Sequence, residues 1–152
     1  MLRFGAISNE SVGRTGMTGA GPWRRVDRSE RLVTILVIED EPMVREVLQI
    51  TLERSGFRVL MASGGDEALD LCESSAEPID LVLTDIVMPG TSGTDLAGYL
   101  AVRYPSMRTV RMSGFTEAML SASGMRRGDT PFLQKPFSRE ELLATVRGAL
   151  GS

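Results

Sequence analysis

The chain has 152 residues, 42% of them hydrophobic and 24% charged, and its net charge is −3. That fits one soluble domain of ordinary size with room for a proper core, and argues against nucleic-acid binding by bulk electrostatics. The absence of histidine excludes a Ser-His-Asp triad, a papain-like Cys-His pair and most zinc sites, while the single Cys72 excludes an internal disulfide. With no histidine the chain also cannot form a phosphohistidine.

No stretch approaches the roughly 18 apolar residues of a membrane span. The start, Met1 to Ile7, lacks the apolar core of a signal peptide. A cytoplasmic protein without membrane contact is therefore expected. Charge is uneven: residues 1–32 hold six Arg against three acids, and the remainder is acidic. Residues 1–31 scatter Gly5, Gly13, Gly16, Gly19 and Gly21 among Ser, Thr and Arg with no apolar period. They read as a flexible tail or linker, with Trp23 exposed, ahead of a domain spanning 32–150.

Order is expected from Leu32. Val33 to Ile38 is a nearly continuous β-branched and apolar run, the pattern of a strand buried on both faces. It ends in Glu39-Asp40-Glu41. Pro42 suits the first turn of a helix whose Val44, Val47, Leu48 and Thr51 recur at helical spacing, and Gly56 stops it. Phe57 to Ala62 reads as a second strand and Asp66 to Glu73 as a second helix, with Ala68, Leu71 and Cys72 on one face. Cys72 on that face is expected to be a small core residue rather than a reactive thiol.

Pro78-Ile79-Asp80 leads into Leu81-Val82-Leu83-Thr84-Asp85, and Pro89-Gly90 end any extended structure. The third helix is expected over Gly93 to Arg103 with Leu96, Ala97 and Leu100 inward. A fourth strand follows over Arg108 to Met112, ending at Ser113-Gly114, then a fourth helix from Phe115 to Ser123. Phe132 to Gln134 is a short fifth strand ending at Lys135-Pro136. Ser138 followed by Glu141 fits a capping box for the last helix, with Leu142, Leu143, Val146 and Leu150 inward.

Five alternations of strand and helix predict an α/β protein with a parallel sheet covered on both faces by right-handed crossovers. In such sheets ligands gather outside the carboxyl ends of the strands. The strand tips deliver Glu39, Asp40 and Glu41, then Asp85, then Ser113, then Lys135. Taken singly, Asp85 fits a turn residue, the three acids fit a helix N-terminus, and Ser113 fits a turn. Lys135 is the chain's one lysine against sixteen arginines. Together they supply what a phosphoryl group needs. An all-oxygen carboxylate set suits Mg²⁺, an ammonium and a hydroxyl meet the phosphoryl oxygens, and a carboxylate attacks phosphorus.

The motifs Ile38-Glu39-Asp40-Glu41, Thr84-Asp85-Ile86-Val87-Met88-Pro89-Gly90, Met112-Ser113-Gly114 and Phe132-Leu133-Gln134-Lys135-Pro136-Phe137 resemble those of the receiver domain of two-component response regulators. The resemblance covers residues 33–150. It implies a flavodoxin-like (βα)5 doubly wound sheet in strand order 2-1-3-4-5. It implies that Asp85 accepts a phosphoryl group from a sensor histidine kinase or a histidine phosphotransfer protein. Asp40, Asp85 and the backbone carbonyl of Val87 would hold Mg²⁺, with Glu39 acting through water. Lys135 would pair with the phosphoryl oxygens, and Ser113 and Phe132 would form the coupled switch. A cis bond before Pro136 is also implied. The downstream partner surface would be the face of the fourth helix, fifth strand and last helix, with a phosphorylation-dependent dimer among the outcomes. Such a domain is a signalling module rather than an enzyme beyond its own phosphorylation and dephosphorylation.

Phe132 carries no tyrosine hydroxyl, so a readout through that hydroxyl is not expected; Val87 and Phe115 carry no polar group to orient an attacking water, which implies slow self-dephosphorylation. After the last helix only Gly151-Ser152 remain, so no output domain is expected there. Ser-Gly-Phe and Phe-Leu-Gln-Lys-Pro-Phe also resemble receivers at the C-termini of hybrid histidine kinases, and stand-alone protein and fragment both stay open. Three rival functions stand beside this reading, one of them a pseudo-receiver acting purely as an interaction domain, against which the intact acid, Ser and Lys set argues. A haloacid dehalogenase-type phosphatase would want a second Asp where Val87 stands. A flavodoxin-like binding module would need more than Ser63-Gly64-Gly65-Asp66 as a phosphate loop.

Overall fold

A computed structural model describes residues 31–87, 93–122 and 131–151. The elements follow the expected alternation: β1 Thr34–Ile38, α1 Pro42–Arg54, β2 Arg58–Ala62, α2 Gly65–Ser74, β3 Leu81–Asp85, α3 Gly93–Arg103, β4 Arg108–Ser113, α4 Glu117–Ala122, β5 Phe132–Gln134 and α5 Arg139–Leu150. The five strands form one parallel sheet in the order β2-β1-β3-β4-β5. This is the flavodoxin-like order that the resemblance implies. Most boundaries fall within one or two residues of expectation. The fourth helix is shorter than expected, and the Ser123 assigned to it lies outside the described residues, as does the Trp23 segment.

Strand alternation sends successive side chains to opposite faces, so each central strand feeds two cores. Leu36, Ile38 and Val82 pack with Ala68 and Cys72 of α2 and Leu96 and Leu100 of α3. Ile35, Val37, Leu81 and Leu83 pack on the other face with Leu48 and Leu52 of α1 and with Leu142, Leu143 and Val146 of α5. This is why every residue of β1 and β3 is buried and successive apolar residues follow one another in both: both faces are covered.

Caps agree with the sequence. The Ser138 hydroxyl accepts from the Glu141 N–H at 3.0 Å, and the Glu141 carboxylate accepts from the Ser138 N–H at 2.8 Å. Gly56 takes φ 95° between α1 and β2, a conformation that favours glycine.

The structure decides which apolar line of α1 faces the sheet. Val47 is 61% exposed, with Met43 at 76% and Ile50 at 43%, while Leu48 and Leu52 carry the buried side of α1. The helix is rotated by the demand that Leu48 and Leu52 both reach the sheet, which turns the 43, 47, 50 line outward. Helical spacing alone cannot say which of two apolar lines faces in.

At the base of the sheet, Arg31 pairs with Asp80 through two hydrogen bonds of 2.8 and 2.9 Å. Asp80 also accepts from the Thr34 N–H at 2.8 Å. Arg31 thus ties the start of the described chain to the pole opposite the acidic residues.

Candidate functional site

The site is built at the carboxyl ends of β1, β3, β4 and β5. Residues Glu39 and Asp40 follow β1, and Asp85 ends β3. Register holds these tips level: Ile38 pairs with Thr84, and Asp85 pairs with Met112, one residue before Ser113. Carboxylate oxygens of Glu39, Asp40 and Asp85 lie within 4.8 Å of one another. Among the described residues this is the cluster with metal-binding spacing. Glu39 and Asp85 are buried and Asp40 is exposed, so the cluster opens on one side.

Lys135 closes the group from β5. Its Nζ donates to Glu39 Oε1 at 2.5 Å and to Asp85 Oδ2 at 3.0 Å. The Lys135 N–H donates to the Ser113 carbonyl at 2.7 Å, which fixes the end of β5 against β4. The Lys135-Pro136 peptide is cis, as the resemblance implies. One ammonium thus partners two carboxylates that would otherwise repel each other in a partly buried space.

Glu39 is nearly enclosed, and burial pushes its carboxyl above the ordinary range. The bonds from Lys135 and from the Glu41 N–H pull the other way, the latter at 3.0 Å to Oε2. For Lys135 burial alone would lower the ammonium's pKa. Its hydrogen bonds to Glu39 and Asp85, with their charges, outweigh burial, and the net direction is upward. Lys135 is therefore charged at neutral pH.

Asp85 Oδ1 accepts from the Val87 N–H at 3.2 Å, and Ser113 Oγ accepts from the Phe115 N–H at 3.0 Å. The Ser113 hydroxyl hydrogen is then the group it has to offer. Val87 and Phe115 are both about half exposed beside Asp85 and Ser113. Phe132 is half-buried on β5. Glu39, Asp40, Asp85 and Lys135 are thus brought together through their side chains, while Ser113 shares the same sheet edge through register.

Sequence reasoning missed Arg45. It lies in the second turn of α1, and its Nη1 donates to the Glu39 carbonyl at 2.8 Å. The sequence signals it only as a basic residue six positions after the first acid, a spacing that arises often by chance.

Comparison with known proteins places these features in context. Residues 35–147 match the family described as Response regulator receiver domain. The transcriptional regulatory protein FixJ of Azorhizobium caulinodans is 36% identical over 117 residues, covering 76% of this chain and 54% of FixJ. The sensor kinase CckA of Brucella abortus is 33% identical over 117 residues, covering 77% of this chain and 12% of CckA. The chain thus spans about half of one relative and a small part of the other. A response regulator receiver protein of Sinorhizobium medicae has a solved structure that superposes with TM-score 0.69 at 31% identity, covering 81% of this chain and 98% of that one.

Proposed function

The chain belongs to the response regulator receiver domain family of two-component signalling, and from that premise we propose that it accepts a phosphoryl group from phosphohistidine onto Asp85. The observation that carries this reading is the Asp85 carboxylate held between Lys135 and the acidic pair Glu39 and Asp40.

The donor set is entirely oxygen and open on the Asp40 side, which fits a hard cation that keeps several waters. Asp40, Asp85 and the Val87 carbonyl would hold Mg²⁺. Glu39 would act through water, consistent with both its carboxylate oxygens being engaged by Lys135 and the Glu41 N–H. When bound, the ion supplies neutralisation of the phosphoryl oxygens. In the transfer, an Asp85 carboxylate oxygen forms the bond to phosphorus while the bond from phosphorus to the donor imidazole nitrogen breaks. The imidazole leaves with that electron pair. Lys135 stays charged and pairs with a phosphoryl oxygen, and the Ser113 hydroxyl donates to another. Movement of Ser113 draws Phe132 inward and alters the face of α4, β5 and α5, where a downstream protein or a second copy would bind. The donor, a sensor histidine kinase or a histidine phosphotransfer protein, reaches Asp85 past the exposed Met43, Val47 and Ile50 of α1. No helix among the described residues is long and apolar enough to cross a membrane.

The test is incubation with acetyl phosphate and Mg²⁺ followed by intact mass. The wild-type chain gains one phosphoryl group, and Asp85→Asn gains none. A wild-type mass that stays unchanged rejects the reading.

A further inference from the structure

Glu39 has each of its polar groups engaged. Its N–H donates to the Ala62 carbonyl at 3.0 Å, and its carboxylate takes Lys135 and the Glu41 N–H. Its carbonyl takes the Arg45 guanidinium at 2.8 Å. That carbonyl belongs to the peptide joining Glu39 to Asp40. The orientation of the peptide governs where the Asp40 carboxylate points. Asp40 is the exposed member of the cluster, with the least packing to hold it. The end of β2 adds a second support. Glu67 Oε1 accepts from both the Ser63 N–H at 2.7 Å and the Ser63 hydroxyl at 2.9 Å. These two bonds hold the Glu67 carboxyl below its ordinary range, and the positive charge of Arg45 adds to that effect.

We propose that Arg45 is a positioning residue for the acidic pole: by gripping the Glu39 carbonyl it aims the peptide that leads into Asp40, and so sets the affinity of the cluster for a divalent cation. The inference rests on the proposed binding of Mg²⁺ at this pole. It has a diagnostic sign. A guanidinium near a cation site repels the cation, so removing its charge alone would tighten metal binding. Loss of affinity on removal runs against that electrostatic effect and so reports lost aim. Partners that orient ligands from behind are typically worth 10- to 100-fold in metal affinity.

The experiment is calorimetric titration of the full chain with Mg²⁺ alone, beside melting in chelator. Arg45→Met keeps the aliphatic stem and removes the donors, and should weaken Mg²⁺ binding by roughly tenfold. Arg45→Lys keeps a charged donor and should recover a measurable part of that loss. A purely structural role would lower the melting temperature in chelator and leave the affinity of the folded protein unchanged. Affinity in Arg45→Met equal to or tighter than wild type overturns the inference, as does a loss that Arg45→Lys fails to relieve. If Arg45→Met does not fold, Arg45→Leu, which also removes the donors, carries the same comparison. Wild-type protein that takes no Mg²⁺ rejects the functional reading itself, whereas a wild type that binds with an indifferent Arg45→Met rejects only the role of Arg45.

Discussion

Lys135 and Asp85, 50 positions apart in sequence, meet with Nζ 3.0 Å from Oδ2, and the same ammonium reaches Glu39. One cation therefore offsets two buried or nearly buried carboxylates. Lys135→Met leaves both without that partner. Unfolding in urea with chelator should show a loss on the order of 2 kcal/mol, below the figure for fully buried pairs because Lys135 is partly exposed. Added Mg²⁺ should restore part of the loss. Unchanged stability would mean the pair does not hold in solution.

From the strand tips alone, Asp40→Asn and Asp85→Asn are both expected to stabilise the metal-free protein by relieving like-charge repulsion. The structure separates them. Asp40 is exposed beside two buried carboxylates, so Asp40→Asn should raise the melting temperature in chelator by about 2 °C, from roughly 0.5 kcal/mol of relief. Asp85 is a partner of Lys135, so Asp85→Asn should give no comparable rise. Equal rises in the two variants would contradict the observed pairing.

Val87 and Phe115, each two residues past Asp85 and Ser113, carry half-exposed apolar side chains, and under the proposed function neither would orient a water for hydrolysis. Phosphorylated protein should lose its phosphoryl group slowly in Mg²⁺. Val87→Asn, which supplies a polar group, should speed the decay several-fold. A decay rate that Val87→Asn leaves unaltered would show that these side chains do not govern hydrolysis.

The outward line of Met43, Val47 and Ile50 on α1 makes a separate prediction. Val47→Asp should slow transfer from a phosphorylated histidine phosphotransfer protein and leave labelling by acetyl phosphate unchanged. The small molecule needs only the pole, whereas a protein donor must also bury surface beside it. Parallel loss with both donors would point to damage at the site itself.

Cys72 lies in the core between α2 and the sheet, and burial pushes its thiol up to about 11. The folded state thus favours the neutral thiol. Its contribution is complete below the ordinary thiol range near 8.5 and is lost as pH climbs towards about 11, with a total on the order of 2 kcal/mol. Urea unfolding of Cys72→Ala beside wild type between pH 8 and 11 should show the wild type losing the larger share. Slopes that match would place the thiol in contact with solvent.

Much of this molecule is written locally. β1 and β3 are legible because short apolar runs, Ile35 to Ile38 and Leu81 to Leu83, bounded by turn residues, fit strands covered on both faces. Ser138 with Glu141, and Gly56, announce helix ends through bonds that need no partner element. The residues of the pole were legible too, since strand ends in an alternating parallel sheet must share one edge. What only the tertiary structure decided is how those residues divide their bonds. The pairing of Lys135 with Glu39 as well as Asp85, the Arg45 grip on a carbonyl and the outward turn of Val47 each depend on side-chain direction and packing between elements distant in sequence. A one-dimensional pattern fixes periodicity and the order of strand tips, but the rotation of a helix about its own axis is settled by the surface it packs against.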